Sequence, residues 1–285
     1  MATKRPVALV TGASSGIGEA TALALVEAGF EVIGTSRNAA KAASREGVTF
    51  LDLDVSSDSS VATLVQQVID RFGRIDVLVN NAGIGSSGAT EESSLAQHQR
   101  VFDINVFGVI RMTKAVLPHM RAQGRGRIIN LSSIYGLIPQ PYMAAYIASK
   151  HAVEGYSESV DHEVREFGVR VLLVEPGGTN TAFEGNLAQP DTPLPVYAKQ
   201  RRIVDQVVAK AVTGGDAPTV VARAITTAAT TRNPRLRSTA GPFARRISLL
   251  RRIVPTRVFD QQIRKFNKLG RFNEGASVLH LPLAD

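Results

Sequence analysis

Cysteine is absent from this 285-residue chain, and several chemistries go with it. No disulfide framework, thiol nucleophile or Cys-ligated zinc or iron–sulfur centre can be built, and the absence fits a reducing compartment. No metal site is expected. Long apolar runs are missing as well, since no window approaches the roughly 18 to 20 consecutive apolar residues of a membrane span. The start, residues 1–16, couples a short basic stretch to an apolar one that breaks early into Thr11-Gly12, so no targeting signal is expected. A cytoplasmic location is the expectation. There is no internal repeat and no low-complexity segment.

Acidic residues are scarce in one place. Residues 232–271 hold twelve Lys and Arg against Asp260 alone, whereas the whole chain carries a formal charge of +8. The basicity therefore belongs to a C-terminal extension of about residues 232–285, and the body before it is close to neutral. With 44% hydrophobic and 20% charged residues, the composition excludes a fibrous or wholly disordered chain.

Short apolar runs alternate with helical patterns along that body. PVALVT, EVIGTS, VTFLDLD, IDVLVN, RIINLSS and VRVLLVEP are apolar on both faces, as strands buried on both sides are. Helical stretches are predicted over 18–28, 61–72, 97–121 and 146–167, with Gly29, Gly73, Gly124 and Gly168 as their stops. The β-α-β-α rhythm predicts an α/β fold, a doubly wound parallel sheet of Rossmann type, as one domain with a C-terminal helical extension. Two further helices are expected near 201–212 and 219–231.

Four groups of residues point to chemistry. Gly12, Ser14, Ser15, Gly16, Ile17 and Gly18 lie in TGASSGIG, directly after a strand and opening a helix. Glycines there let the backbone approach a pyrophosphate, and the helix N-terminus offers unpaired N–H groups and a positive dipole. A plain Gly-Ser turn would read much the same. Arg37 follows the second strand, where an acid would repel a 2′-phosphate and an arginine can grip it. Tyr146 and Lys150 share a helical face at i, i+4, so an ammonium can lower the barrier to ionising a phenol whose ordinary pKa is about 10. Ser133 ends a buried strand thirteen residues before Tyr146, where open parallel sheets place ligands.

Taken together, these residues resemble the short-chain dehydrogenase/reductase family over roughly residues 4–240. The shared motifs are TGASSGIG, Asp54-Val55, NNAG from Asn80 to Gly83, Asn105, Ser133, Tyr146-x3-Lys150 and PGGTNT from Pro176 to Thr181. The resemblance implies Tyr146 as acid/base, Lys150 lowering its pKa and binding ribose hydroxyls, Ser133 orienting a substrate carbonyl, and Asn105 holding a relay water. It implies Ser14, Ser15 and Ile17 at the diphosphate, Asp54 and Val55 at the adenine, Asn81, Ala82 and Gly83 at the adenosine ribose, and Gly177, Thr179 and Thr181 at the nicotinamide. Arg37 favours NADP(H) over NAD(H), although Ser15 stands where some NADP-dependent members carry a second basic residue. Within the family, the chain looks most like the 17β-hydroxysteroid-dehydrogenase-like and retinol-dehydrogenase-like members.

Those readings predict hydride transfer between nicotinamide and a carbonyl or secondary alcohol of a medium-sized, largely apolar substrate that is steroid-, retinoid- or ketone-like. A silent dinucleotide sensor and a surface-binding protein acting through its basic tail are the alternatives. A mobile lid is expected over about 181–215, carrying Phe183, Leu187, Leu194, Val196 and Tyr197, with Ile84, Leu137, Ile138 and Met143 as further wall. The helices over 97–121 and 146–167 are apolar on more than one face, which together with the family predicts a homodimer or homotetramer. No nucleic-acid partner is expected. In PFARRISLLRRIV, Phe243, Ile247, Leu250 and Val254 recur at helical spacing. That stripe is expected to dock beside the substrate cleft, with membrane-surface contact the less favoured use.

Overall fold

The computed structural model describes residues 5–270 except 184 and 186. Seven parallel strands form one sheet: β1 Val7–Val10, β2 Glu31–Ser36, β3 Val48–Asp52, β4 Val77–Asn80, β5 Gly126–Leu131, β6 Val169–Pro176 and β7 Arg237–Ala240. Their order across the sheet is β3-β2-β1-β4-β5-β6-β7, so the order reverses between β1 and β4. Because side chains alternate along a strand, each strand feeds both faces. Val7 and Leu9 join Leu78, Ile128 and Val171 beneath α2 (Asp58–Phe72), α4 (Gly108–Ala122) and α5 (Ala144–Val164). Ala8 and Val10 join Val77, Ile129 and Val174 beneath α1 (Gly16–Glu27) and α7 (Pro218–Thr230). Two-sided burial is what made β1, β2, β4, β5 and β6 read as apolar runs.

The helix stops are where the glycines put them, with Gly29, Gly73, Gly124 and Gly168 at positive φ. The stretch expected as one helix over 97–121 is interrupted. α3 spans Leu95–Phe102, then residues 103–107 make a π turn before α4 begins. The wider turn brings Asn105 to Ile84, whose backbone N–H and C=O it bonds at 2.8 Å each. A second difference lies in the segment read as an extension, because Arg237–Ala240 pairs with Leu173–Pro176 and completes the sheet. Beyond α6 (Ala198–Thr213), the C-terminal part adds α8 (Pro242–Ile253) and α9 (Thr256–Phe266), the latter unforeseen. The rest of the expected extension, residues 271–285, lies outside the described residues.

Candidate active site

At the C-terminal ends of β1 and β4, two loops are bolted together. The Asn81 amide donates to the carbonyls of Thr11 (2.8 Å) and Gly12 (3.0 Å), and the Thr11 hydroxyl accepts from the N–H groups of Asn81 and Ala82. Gly12 sits at φ +65°, and a Cβ on Gly18 would collide with the Gly12 carbonyl oxygen. The loop therefore closes tightly over the start of α1. Ser15 is extended at the N-cap and its side chain caps nothing, which leaves the first N–H groups of α1 for an anion. Arg37 is exposed at the end of β2. Nearby, hydrogen bonds from Ser56 hold the Asp54 carboxyl below its ordinary range, and the charges of Arg37 and Arg111 add to this.

Ser133 follows β5 and starts a short 3-10 turn, its hydroxyl accepting from the Tyr135 N–H at 3.2 Å. Tyr146 and Lys150 present the same face of α5 and are both buried. The Lys150 ammonium donates to the Leu131 carbonyl at 2.8 Å and stands 5.7 Å from the centroid of the Tyr146 ring. Burial pushes the Tyr146 phenol upward, and a hydrogen-bonding contact with Ser133 works against it. Burial lowers Lys150 to about 8 even though Glu154 favours its charged form. Asn105 lies behind the cavity, its amide donating also to Ser149 at 3.1 Å.

One more turn along α5 lies Glu154, which the sequence reading passed over. It is 4% exposed, and burial raises its carboxyl to about 7 against the pull of Ser132 and Arg237. Arg237 reaches in from β7 and pairs with Glu154, Glu158 and Glu175. The i, i+4, i+8 spacing from Tyr146 was legible as one helical face; the burial and the arginine that balances it were not.

A single cavity of about 1430 Å³ joins these parts. Apart from Asn105, every residue assigned to catalysis or cofactor lines it, including Asp54, Val55, Gly177, Thr179 and Thr181. Its apolar end is walled by Ile84, Ile138, Met143, Phe183, Val208 and Val212. The stripe of α8 docks as expected, since Phe243, Ile247, Leu250 and Val254 all face the cavity. α9 supplies Val258, Phe259, Ile263 and Phe266 as a further wall. Leu137, Leu187, Leu194, Val196 and Tyr197 do not line it, contrary to expectation.

The segment expected as a lid is held by polar contacts as well as by apolar ones. Buried Glu92 accepts from the N–H groups of Ala89 (2.9 Å) and Leu194 (2.8 Å) and pairs with Arg201 of α6. Tyr197 donates to Glu91 at 2.7 Å and Ser87 to Asp205 at 2.6 Å. Leu187 instead joins Phe183 in packing around Met143 and Tyr146.

Known proteins resemble this chain in sequence and in fold. The family model for short chain dehydrogenases matches residues 6–192. The chain is 41% identical over 239 residues to the 3-ketodihydrosphingosine reductase of Bacteroides thetaiotaomicron, covering 83% of this chain and 88% of that protein. It is 40% identical over 199 residues to retinol dehydrogenase 8 of Homo sapiens, 66% of this chain and 63% of that one. A short-chain dehydrogenase from Streptomyces avermitilis superposes with a TM-score of 0.78 at 35% identity, covering 93% of this chain and 97% of its own. A Burkholderia phymatum short chain dehydrogenase/reductase in complex with NAD gives 0.76 at 28% identity over 93% and 96%; ElxO with NADP bound gives 0.70 at 27% over 83% and 97%. Sequence and structural kinship thus agree, and the chain belongs to the short-chain dehydrogenase family of NAD(P)-dependent oxidoreductases that act on CH-OH groups.

Proposed function

We infer that the protein transfers a hydride between NADP(H) and a carbonyl or secondary alcohol on a medium-sized, largely apolar molecule. The observation carrying this is the joining, in one cavity, of the Ser133-Tyr146 pair to an apolar wall drawn from α6, α8 and α9. The uncapped start of α1 and the Gly12-Gly18 approach fit a dinucleotide diphosphate, and Arg37 fits a 2′-phosphate. When bound, the nicotinamide supplies or accepts the hydride.

The remaining work falls to the chain's own side chains. The Ser133 hydroxyl orients the substrate oxygen, and the Tyr146 phenol gives it a proton in reduction or takes one in oxidation. Burial opposes the phenolate, and the hydrogen-bonding contact with Ser133 works against that cost; the Lys150 ammonium, 5.7 Å from the ring centroid, is placed to favour the phenolate as well. Lys150 also binds ribose hydroxyls. Both hydrogens of the Asn105 amide are engaged, by Ile84 and Ser149, and its oxygen accepts from the Ile84 N–H, which leaves one lone pair on that oxygen for the relay water.

Relatives named for 3-ketodihydrosphingosine and for retinol agree with an apolar substrate. The test is a screen of long-chain ketones, aldehydes, steroids and retinoids with NADPH and NADH, read by absorbance of the reduced cofactor. Turnover of apolar carbonyls with NADPH is expected, and a preference for small polyols or sugars overturns the substrate class. We place the protein in the cytoplasm as a homodimer or homotetramer through α4 and α5, whose exposed face on α5 carries the small residues Ala144, Ala148, Gly155 and Ser159. A monomer in light scattering contradicts the assembly.

A further inference from the structure

Ten large hydrophobic side chains stand exposed among the described residues, and six of them lie on α8 and α9: Phe243, Leu249, Leu250, Ile253, Val258 and Phe266. Scattered singly, such residues need no explanation; gathered on two consecutive helices, they mark a contact surface. At about 100° per residue, the apolar arc of α8 runs from Ile247 and Val254 through Phe243 and Leu250 out to Leu249 and Ile253. The last two do not line the cavity and are 58% and 67% exposed. The fold thus uses one part of the arc internally and leaves the other in water. Phe243, Leu250, Val258 and Phe266 line the cavity and are exposed as well, so the cavity mouth opens within the patch.

The charge around the patch has one sign. Residues 242–270 hold eight basic side chains and one acid, Asp260. Arg251 turns inward, donating to the Leu137 carbonyl at 3.3 Å and stacking over Phe259. Arg245, Arg246, Arg257, Lys265 and Lys268 are exposed and have no acidic partner among the described residues.

These features select the occupant. A second copy meeting this face through a two-fold axis would set two strongly basic surfaces against each other. Nucleic acid would answer the arginines but leave Leu249 and Ile253 against a polar backbone. An anionic bilayer answers both, with headgroups at the cations and the apolar row at the acyl boundary. We propose that α8 and α9 form a docking surface for an anionic lipid bilayer, with the cavity mouth turned toward the lipid. Entry of substrate from the acyl layer is a corollary that rests on the apolar-substrate reading above; the docking does not.

The experiment sediments the full chain, without substrate, on unilamellar vesicles of phosphatidylcholine alone or with phosphatidylserine added. Binding to the anionic vesicles at low salt is expected, at least about tenfold weaker on neutral vesicles or in high salt. Leu249→Ser with Ile253→Ser, and Arg245→Gln with Arg246→Gln, are each expected to weaken it by about tenfold. Both pairs should leave the melting temperature and the turnover of a water-soluble ketone as in the wild type. The proposal falls if the protein stays in the supernatant, if it pellets equally on neutral vesicles, or if both double variants bind like wild type. It falls equally if the serine pair alters the oligomeric state in light scattering and not the sedimentation, which would make the patch a contact between copies. Because sedimentation needs no turnover, an inactive but vesicle-bound protein would count against the catalytic reading alone.

Discussion

Lys150 and Glu154 lie one turn apart on α5, and burial drives their acidities together, the ammonium down to about 8 and the carboxyl up to about 7. Near neutral pH the carboxylate supports the charge on Lys150, which in the proposed mechanism favours the phenolate of Tyr146. Glu154 does not line the cavity, so in the proposed mechanism it would act on the reaction through Lys150.

Glu154→Gln removes that support, and the ammonium is expected to lose its proton more easily. The high-pH fall in kcat should move down by about one pH unit. A purely structural role would lower kcat evenly across the profile with no shift.

The same substitution has an opposite signature in stability. The folded-state pKa of Glu154 lies above its ordinary value of 4.5, so the native state holds an extra proton between pH 4.5 and about 7. The stability it contributes is complete below pH 4.5 and is lost as pH rises through 7. Relative to wild type, Glu154→Gln should be near neutral at pH 5 and gain on the order of 1–3 kcal/mol by pH 8. Calorimetric melts at the two pH values check the sign.

Tyr146→Phe keeps the ring contacts with Tyr135 (6.3 Å) and Phe183 (5.6 Å) and removes the proton donor. Turnover should fall by at least about a hundredfold while the dinucleotide still binds. Wild-type turnover in the variant, measured on any substrate the screen finds, would remove Tyr146 from the chemistry.

Arg37 is exposed just after β2, where its charge also favours the Asp54 carboxylate. Arg37→Ala should weaken NADPH by one to two decades, about 1.5–3 kcal/mol, and leave NADH unchanged. Titration by fluorescence or calorimetry reads both constants, and equal wild-type affinities for the two cofactors would assign Arg37 to solvent.

Arg201→Ala leaves Glu92 fully buried without its ion-pair partner. A cost of roughly 3–5 kcal/mol is expected at pH 7. Burial alone would raise Glu92, but hydrogen bonds from Ala89, Leu194 and Arg201 hold it below its ordinary value. Its contribution is therefore present above pH 4.5 and lost as pH falls through the folded value. The gap between variant and wild type should narrow in acid, as urea titrations at two pH values would show.

The dinucleotide cradle could be read in the sequence because its demands are local: glycines at Gly12, Gly16 and Gly18, a serine before a helix, and a Tyr and Lys one turn apart. β1, β2, β4, β5 and β6 were legible because burial on both faces leaves apolar runs, and β3, only partly buried at the sheet edge, still carries Val48, Phe50 and Leu51. β7 was hidden for the converse reason. RSTA has one buried residue, Ala240, and becomes a strand only because β6 offers it an edge. The π turn at residues 103–107 depends on the contact between Asn105 and Ile84, 21 residues away, and no periodicity records that. In α9, Val258, Phe259, Ile263 and Phe266 were spaced as a helical stripe, but the run of cations around them drew the reading toward charge.

The position of β7 also bears on how the chain is made. Synthesis from the N-terminus delivers six strands long before Arg237 appears, and until then β6 is an open edge flanked by Glu154 and Glu175, two carboxyls that still lack their guanidinium partner. Such an edge is a template for pairing with other nascent chains. The last strand closes it and brings the balancing guanidinium in the same step. Chains that stop short of residue 237 are therefore expected to aggregate, not merely to lack activity, while chains that reach the end of β7 should stay soluble in the same expression trial.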